Sequence, residues 1–281
     1  MSSKEEYLDF FAQFIKKELG IIYHEANLYQ LETRLNEITK ELKFESIDEL
    51  YKKAKTVISP DMKRLILDVA TNNETSFFRD GHIFDSIAEI YRNSSPAPGG
   101  LSPFSIWSAA CSRGQEIYSV AMTFDEVNDA KTNGWKILAT DISERALEQA
   151  KSGVYSQLEV QRGLVDPKLS KYFEKTPGEH SNSWKVKADL QRNIAFKKQN
   201  LLDSFTGLGS FDLILCRNVL IYQDVEERKR IVARMYDALN SGGHLIMGAA
   251  ESLMGINEDF ETVRLCGATI YKKPLAIQKA S

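Results

Sequence analysis

The chain has 281 residues, 43% of them hydrophobic and 27% charged, which is enough for more than one globular domain. Its formal net charge of -3 gives no overall positive field that would attract nucleic acid or an acidic membrane surface. Cys111, Cys216 and Cys266 lie far apart without metal-ligand spacing, which argues against a disulfide framework and against a zinc site. No apolar run approaches about 18 residues and the N-terminus is highly charged, so we expect a cytoplasmic protein without membrane insertion.

Residues 1–72 show helical periodicity and little sign of strands. Apolar residues recur at spacings of three and four in two sets, which places each set on one face of a helix. The sets are Leu8, Phe11, Ile15 and Leu19, and then Leu28, Leu31, Leu35, Ile38 and Leu42. Ser46 with Glu49 has the form of a capping box, and Ser59 followed by Pro60 is typical of a helix start. We therefore predict an all-α N-terminal domain over residues 1–72.

Residues 73–103 form a connecting segment that begins with polar residues around an aromatic pair, NETSFFRD. Phe77 and Phe78 could simply plug the space between two domains, which is the interpretation that this segment favours by itself. Alternatively, Asn73, Thr75 and Arg79 project into a shared cleft, where Arg79 supplies a fixed cation for a carboxylate. A helix follows, and residues 93–103, NSSPAPGGLSP, have the composition of a linker.

The stretch FSIWSAACSRGQEIYSVAM, residues 104–122, predicts a strand, a turn and a helix. Apolar and β-type residues stop at a turn of small residues, and a helical pattern begins near Glu116. In an open parallel sheet, such a turn lies at the carboxyl edge of the first strand, where nucleotide-like ligands bind. Many α/β proteins have such a turn without a ligand, so this stretch alone leaves ligand binding open.

An acidic residue ends the second predicted strand, residues 136–140. Asp141 follows this strand directly, and Ser143 would cap a helix that Gly153 closes. In Rossmann-type sites, a carboxylate at this place accepts hydrogen bonds from both ribose hydroxyls. The alternative is an acidic side chain that only stabilises the start of the helix.

The later part of the chain continues the α/β alternation after an interruption. Residues 156–193 contain short amphipathic pieces and turn residues, which suggests an inserted hairpin subdomain. Strands are predicted at residues 194–198, 211–216, 244–249 and 269–272, with a helix at residues 225–239. Asn218 lies just past a strand end, where its amide could meet a ligand or could satisfy the local backbone as a turn residue.

Five short segments together resemble the chemotaxis receptor methyltransferases, the CheR family. They are NxTxFFR from Asn73, WSAACSxGxExYSxAM around Glu116, ATDI at Asp141, NLL from Asn200, and CRNVxIY from Cys216 to Tyr222. The resemblance runs from about residue 8 to residue 273, in the family's order and spacing. It implies fold class α/β, with a Rossmann-like S-adenosylmethionine-dependent methyltransferase domain at residues 104–281. It further implies a small β-subdomain inserted at residues 156–193 and an all-α domain in front.

The resemblance also implies an activity and a set of site residues. The activity is methyl transfer from S-adenosyl-L-methionine to glutamate carboxylates in the cytoplasmic region of chemoreceptors, with S-adenosyl-L-homocysteine as the other product. The cofactor-binding residues would be Asn73, Thr75, Arg79, Glu116, Asp141, Asn200, Leu201, Asn218 and Val219. Asp141 would take the ribose hydroxyls and Glu116 would lie near the methionyl end, while Arg79 and Tyr222 would be catalytic residues beside the transferred methyl. No metal or nucleic acid is implied, and we expect a monomer.

This chain departs from the family pattern in one segment. Family members usually have Thr-Gly-Glu-Glu-Pro-Tyr where residues 113–118 read Arg-Gly-Gln-Glu-Ile-Tyr. The retained Glu116 predicts that cofactor binding is kept. The loss of the other carboxylate at Gln115, together with Arg113 near a sulfonium, predicts a weaker affinity.

Three other functions compete with this interpretation. A regulatory module that binds S-adenosylmethionine or its demethylated product without efficient transfer would account for Gln115 and Ile117. A nicotinamide dehydrogenase would share the strand, turn and acid, but the turn lacks GxGxxG because only Gly114 is present. A nucleic-acid methyltransferase conflicts with the acidic charge balance. Whether the inserted subdomain also binds a tethering peptide at the receptor's C-terminus stays open.

Overall fold

The computed structural model describes residues 3–94, 102–127, 134–176 and 183–275. The first part consists of the helices α1 (Ser3–Leu19), α2 (Leu28–Glu41), α3 (Ile47–Thr56) and α4 (Pro60–Ala70). The two predicted apolar faces form one cluster, in which Phe11 and Leu35 are completely buried. Ser46 and Ser59 cap α3 and α4, as predicted, although the Glu49 carboxylate accepts from the backbone of Glu45 and not from that of Ser46.

A seven-stranded, mostly parallel sheet forms the second part. Its strands are β1 (Phe104–Ala109), β2 (Trp135–Asp141), β6 (Ile194–Lys198), β7 (Phe211–Cys216), β8 (Leu239–Met247), β9 (Glu261–Leu265) and β10 (Ala268–Lys272). They lie in the order β6-β2-β1-β7-β8-β10-β9; β10 is antiparallel to both of its neighbours, β8 and β9, and the other pairs are parallel. The predicted α/β fold class is therefore confirmed.

Helices cover both faces of this sheet. They are α5 (Gly81–Asn93), α6 (Gln115–Val127), α7 (Glu144–Ser152) and α11 (Val225–Ala238). One apolar cluster includes residues of α5 and α6, and a second includes residues of α11 with Trp107 of β1. Because β1 and β7 are buried on both faces, their sequences are mostly apolar, which is why their positions could be predicted.

A separate three-stranded antiparallel sheet interrupts the alternation. It consists of β3 (Val154–Ser156), β4 (Phe173–Thr176) and β5 (Ser183–Val186), with β5 in the centre. Three short helices accompany it, α8 (Gln157–Gln161), α9 (Asp166–Tyr172) and α10 (Ala188–Gln191). The predicted linker at 93–103 lies largely outside the described residues, as do residues 177–182 of the predicted insertion.

Two sequence predictions for the sheet are corrected by the structure. β9 was not predicted, because it is an edge strand with alternating exposed residues and no continuous apolar run. It forms a hairpin with β10 through Cys266 and Gly267, which both have positive φ, as a two-residue turn of type I′ requires. β8 begins at Leu239 and not at His244, since a register shift opposite Phe211 lets residues 239–243 join the ladder.

In the four described ranges, no helix is both long enough and apolar enough to cross a lipid bilayer.

Candidate cofactor site

The carboxyl ends of β1 and β7 meet where the strand order of the sheet reverses. From β1 the chain proceeds outward to β2 and β6 on one side, whereas β7 and β8 lie on the other side. Such a switch point leaves a crevice outside the strand ends, and ligands of open α/β sheets bind there. The turn after β1 and the loop after β7 therefore form the centre of the candidate site.

The turn after β1 exposes its backbone at this crevice. Ala110, Ser112 and Gly114 all have positive φ, an unusual conformation for the first two. At Gly114 a side chain is excluded, because a Cβ atom would lie 2.9 Å from that of Ala150 and 3.0 Å from the hydroxyl of Tyr155. The small side chains and the left-handed backbone bring main-chain groups to the cavity surface.

Asp141 lies at the end of β2 and fastens this turn. One carboxylate oxygen accepts from the backbone N–H of Ser112 at 2.8 Å, and the other accepts from that of Ser143 at 2.9 Å. Burial raises the pKa of Asp141 above its ordinary value, while backbone hydrogen bonds from Ser143, Ser112 and Ile142 oppose the rise. Each carboxylate oxygen has capacity for a further donor, so the side chain can still accept from two hydroxyl groups.

A buried arginine joins two acidic residues at one end of the cavity. Arg217 pairs with Glu116 at 3.0 Å and with Asp80 at 2.6 Å, and its side chain is only 3% exposed. It also donates to the carbonyl oxygen of Arg79, and Ser108 donates to the other oxygen of Glu116. Two carboxylates around one guanidinium leave a net negative charge, which favours a ligand cation at this end of the cavity.

The segment 73–80 has an apolar and a polar side. Phe77 is buried and contacts Tyr155 and Phe173 edge-on, at ring distances of 5.0 and 5.6 Å, so it belongs to the apolar core of the α/β part and not to the cluster of the helical part. The polar positions Asn73 and Thr75 line the cavity. The backbone carbonyl of Asn73 accepts from the Ser112 hydroxyl, which ties this segment to the turn after β1.

The loop after β7 supplies the opposite wall. Asn218 has φ +59°, and Val219 and Tyr222 follow it at the cavity surface. The hydroxyl of Tyr222 accepts a hydrogen bond from the amide of Asn72 at 3.0 Å, which orients the phenol. The backbone carbonyl of Tyr222 accepts from Ile22, in the connection between α1 and α2.

The ten site residues predicted from the sequence line one cavity of about 970 Å³, a volume that includes its open mouth. They are Asn73, Thr75, Arg79, Glu116, Asp141, Asn200, Leu201, Asn218, Val219 and Tyr222. Both ends of the Asn200 side-chain amide already have partners within the protein. The amide nitrogen donates to the backbone carbonyl of Glu18 at 2.6 Å, and the amide oxygen accepts from the backbone N–H of Leu202.

Other lining residues were not predicted. They include Asn72, Glu74, Ser112, Ile142, Arg217 and Gln223, together with Leu19 and Ile21 from the helical part. Arg217 carries the clearest sequence signal, because it is a charged residue directly after a buried strand. Leu19 and Ile21 carry none, since nothing in a helix end and its following turn indicates contact with a distant sheet.

Residues 113–118, which depart from the family pattern, do not all face the cavity as expected. Arg113 is exposed and does not line the cavity, so its guanidinium does not face the cavity's negative cluster. Ile117 is completely buried in the core, and Gln115 is 2% exposed. Glu116 alone of these residues faces the cavity.

The cavity contains no activated nucleophile among the described residues. Burial raises the pKa of the Cys111 thiol well above its ordinary value, with Asp141 and Glu116 adding to the effect, so the thiol is neutral at physiological pH. None of the described histidines, His24, His82 and His244, lines the cavity. The described ranges also contain no group of three or more acidic, histidine or cysteine residues that could hold a metal ion.

The residues present fit S-adenosylmethionine. A carboxylate with free acceptor capacity suits a ribose, and Ile142 and Leu201 add apolar wall area for a base. The net negative cluster of Glu116, Asp80 and Arg217 suits the ammonium group of an amino acid.

Comparison with known proteins agrees with this fit. Residues 73–268 match the family model described as "CheR methyltransferase, SAM binding domain". The chemotaxis protein methyltransferase of Vibrio anguillarum is 37% identical over 273 residues, which cover 96% of this chain and 97% of that protein. Chemotaxis protein methyltransferase Cher2 of Pseudomonas putida is 36% identical over 277 residues, covering 94% of this chain and 98% of that protein.

A solved structure of the N-methyltransferase NodS from Bradyrhizobium japonicum, in complex with S-adenosyl-L-homocysteine, is a more distant match. It is 14% identical with a TM-score of 0.43, and the match covers 74% of this chain and 95% of that one. The family model and the full-length relatives decide the assignment. The chain belongs to the CheR methyltransferase family, whose cofactor is S-adenosylmethionine.

Proposed function

We propose that this protein transfers the methyl group of S-adenosylmethionine to glutamate side chains in the cytoplasmic region of chemoreceptors, forming methyl esters in sensory adaptation. The observation that carries the proposal is the position of Arg79 and Tyr222 on the same cavity as Asp141 and Glu116. The names of the relatives, which are chemotaxis methyltransferases, support the choice of substrate. An enzyme with this substrate would work in the cytoplasm.

The chemistry needs little help from an acid or a base. When bound, S-adenosylmethionine supplies a methyl group on a sulfonium, which a carboxylate can displace directly. A free glutamate has a pKa near 4.3 and is already ionised at neutral pH, so no residue has to remove a proton. The absence of histidine from the described cavity lining agrees with this requirement. The protein's residues would lower the barrier by alignment and by excluding water from two charges that neutralise each other.

Arg79 is proposed to hold the incoming carboxylate. Within the described residues its guanidinium forms no ion pair, whereas Arg217 is paired with two carboxylates. Arg79 is also exposed while it lines the cavity, so a substrate side chain could reach its guanidinium. An exposed guanidinium without an acidic partner retains the charge and the paired donors that a carboxylate recognises.

Tyr222 is proposed to position the same carboxylate with its hydroxyl proton. Its oxygen accepts from the amide of Asn72, so the O–H is available to donate toward the cavity. Asp141, Glu116, Asn73, Thr75, Leu201, Asn218 and Val219 are proposed to contact the cofactor, with Asp141 on the ribose hydroxyls. Asn200 is also proposed to contact the cofactor. Its amide nitrogen is held by a hydrogen bond to the carbonyl of Glu18 at the end of α1.

The three-stranded sheet gives a second, separate contact with the receptor in this proposal. Within the described residues both β3 and β4 pair only with β5, so the sheet has two open edges at which an extended peptide could add a strand. A tethering peptide at a receptor's C-terminus would suit such an edge. Calorimetry with the C-terminal peptides of candidate receptors tests this part, and no binding to any of them would remove it.

The activity is tested with tritiated S-adenosylmethionine and receptor-containing membranes. Base-labile radioactivity on receptor glutamates is expected, and it should disappear when those glutamates are changed to alanine. For Arg79, the variants Arg79→Ala and Arg79→Lys are compared by single-turnover rate and by cofactor affinity. Arg79→Ala should slow transfer at saturating cofactor, and Arg79→Lys should keep part of the rate because it keeps the charge. A loss that is explained entirely by weaker cofactor binding would remove Arg79 from its substrate role.

A further inference from the structure

The loop after β7 carries Asn218, Val219 and Tyr222. It folds around the carboxylate of Glu251, a residue that does not line the cavity. Glu251 follows β8, and one of its carboxylate oxygens accepts from the backbone N–H groups of Asn218 at 2.7 Å and Gly248 at 2.8 Å. The other oxygen accepts from Val219 at 3.0 Å, Leu220 at 2.8 Å and Ile221 at 3.3 Å. One carboxylate therefore receives five backbone donors.

This arrangement explains how the loop holds its conformation. Four consecutive N–H groups, from Asn218 to Ile221, point to one side of the chain, and the φ of +59° at Asn218 starts this curve. Consecutive N–H groups form a concave site for an anion, and without an acceptor they would be left unpaired in a partly buried position. Glu251 supplies that anion from within the protein.

At Gly248, the end of β8 packs directly against the loop after β7. A Cβ atom at Gly248 would lie 2.6 Å from the side-chain amide nitrogen of Asn218 and 2.8 Å from its backbone nitrogen. It would also lie 2.8 Å from the carboxylate of Glu251. The end of β8 thus contacts the loop after β7 without an intervening side chain, and the carboxylate completes the contact.

We propose that Glu251 is the positioning residue of the cofactor site, because its carboxylate fixes Asn218, Val219 and Tyr222 against the cavity. Glu251 does not itself line the cavity, so it acts through the loop. The inference rests on the proposed role of Asn218 and Val219 as cofactor contacts. It predicts that a change at Glu251 weakens cofactor binding by displacing these residues.

The main test measures the affinity for S-adenosyl-L-homocysteine by calorimetry in the full chain. Glu251→Gln keeps the size of the side chain but turns one acceptor oxygen into an N–H₂ group that faces backbone donors. The matched control is Glu258→Gln, because Glu258 accepts from the backbone N–H of Gly255 in the same segment and, within the described residues, forms no hydrogen bond with residues 217–222. We expect affinity to fall about 10- to 100-fold for Glu251→Gln and to stay within about twofold for Glu258→Gln.

A double variant separates positioning from a general loss of stability. If Glu251 acts partly through Asn218, the loss of affinity in the double variant Asn218→Ala/Glu251→Gln should be smaller than the product of the two single losses. Losses that multiply would overturn the proposal, because a purely structural effect is independent of Asn218. Thermal unfolding of each variant gives the folded fraction used in the binding fits.

Two further variants keep the proposal falsifiable. Should Glu251→Gln fail to fold, Glu251→Asp retains the charge but is too short to reach all five donors, and it is expected to bind at least about fivefold more weakly than the original chain. Binding within about twofold for the variant that folds would overturn the proposal. Asp141→Asn tests the cofactor site itself. If Asp141→Asn weakens cofactor binding and the Glu251 variants do not, only the positioning role of Glu251 is contradicted. If Asp141→Asn does not weaken cofactor binding, the proposed site is contradicted.

Discussion

Asp141→Asn is the substitution that most directly tests the cofactor site. The native carboxylate already accepts from Ser112 at 2.8 Å and from Ser143 at 2.9 Å, and the ribose would add its hydroxyl donors to the same two oxygens. In the variant, one oxygen becomes an N–H₂ group that cannot accept. A hydrogen bond to a charged group contributes about 1.5–3 kcal/mol, so the loss of one predicts a dissociation constant about 10- to 150-fold higher.

The assay is calorimetric titration with S-adenosyl-L-homocysteine, with thermal unfolding measured on the same samples. Glu144→Gln is the control, because Glu144 lies three residues later, pairs with Lys198 at 2.6 Å and does not line the cavity. We expect its affinity to stay within about twofold of the original. If folded Asp141→Asn also bound within that range, the assignment of the ribose to Asp141 would be refuted.

Three further predictions concern pH and packing. The pKa of Asp141 is raised above the ordinary value of 3.8, so its carboxylate becomes protonated at a higher pH than an ordinary aspartate does. Cofactor affinity should therefore fall as the pH is lowered through that raised pKa. Asp141→Asn should not show this fall. Burial and Lys272 lower the pKa of His244 to about 4, so denaturant-measured stability should drop as the pH falls from about 6.5 to about 4. The drop should be smaller for His244→Gln, and an equal drop would contradict this assignment. Phe77→Ala should cost about 3–5 kcal/mol of unfolding free energy, since Phe77 is buried; a cost below about 1 kcal/mol would contradict its contribution to the core.

Much of the fold could be predicted because strong local patterns coincide with buried elements. β1 and β7 are buried along nearly their whole length, and their sequences FSIWSA and FDLILC are mostly apolar runs, interrupted only by Ser105, Ser108 and Asp212. The cap at Ser143 and the left-handed Gly153 mark the ends of α7 at the predicted positions. β9 was missed because an edge strand with one solvated face has no such run.

The candidate site was predictable to the extent that its residues follow strand ends. Asp141 and Asn218 stand at such ends, and parallel strands bring their carboxyl ends to one edge of the sheet. The partners of these residues were not predictable from one sequence. Arg217 contacts Glu116 across 101 residues and Asp80 across 137 residues, and no local pattern specifies which acid a buried arginine will meet.

The least predictable feature is the contribution of the helical part to the cavity wall. The side chain of Gln223 donates to the carbonyl of Leu19 across 204 residues, Asn200 donates to that of Glu18 across 182 residues, and Ile21 forms a β-bridge with Gln223. These contacts cap carbonyl groups that a helix end leaves without partners. The end of α1 is therefore completed by the same loops that carry the proposed cofactor contacts. Disturbing this helix end should change cofactor affinity as well as the stability of the helical part, because both depend on one set of hydrogen bonds.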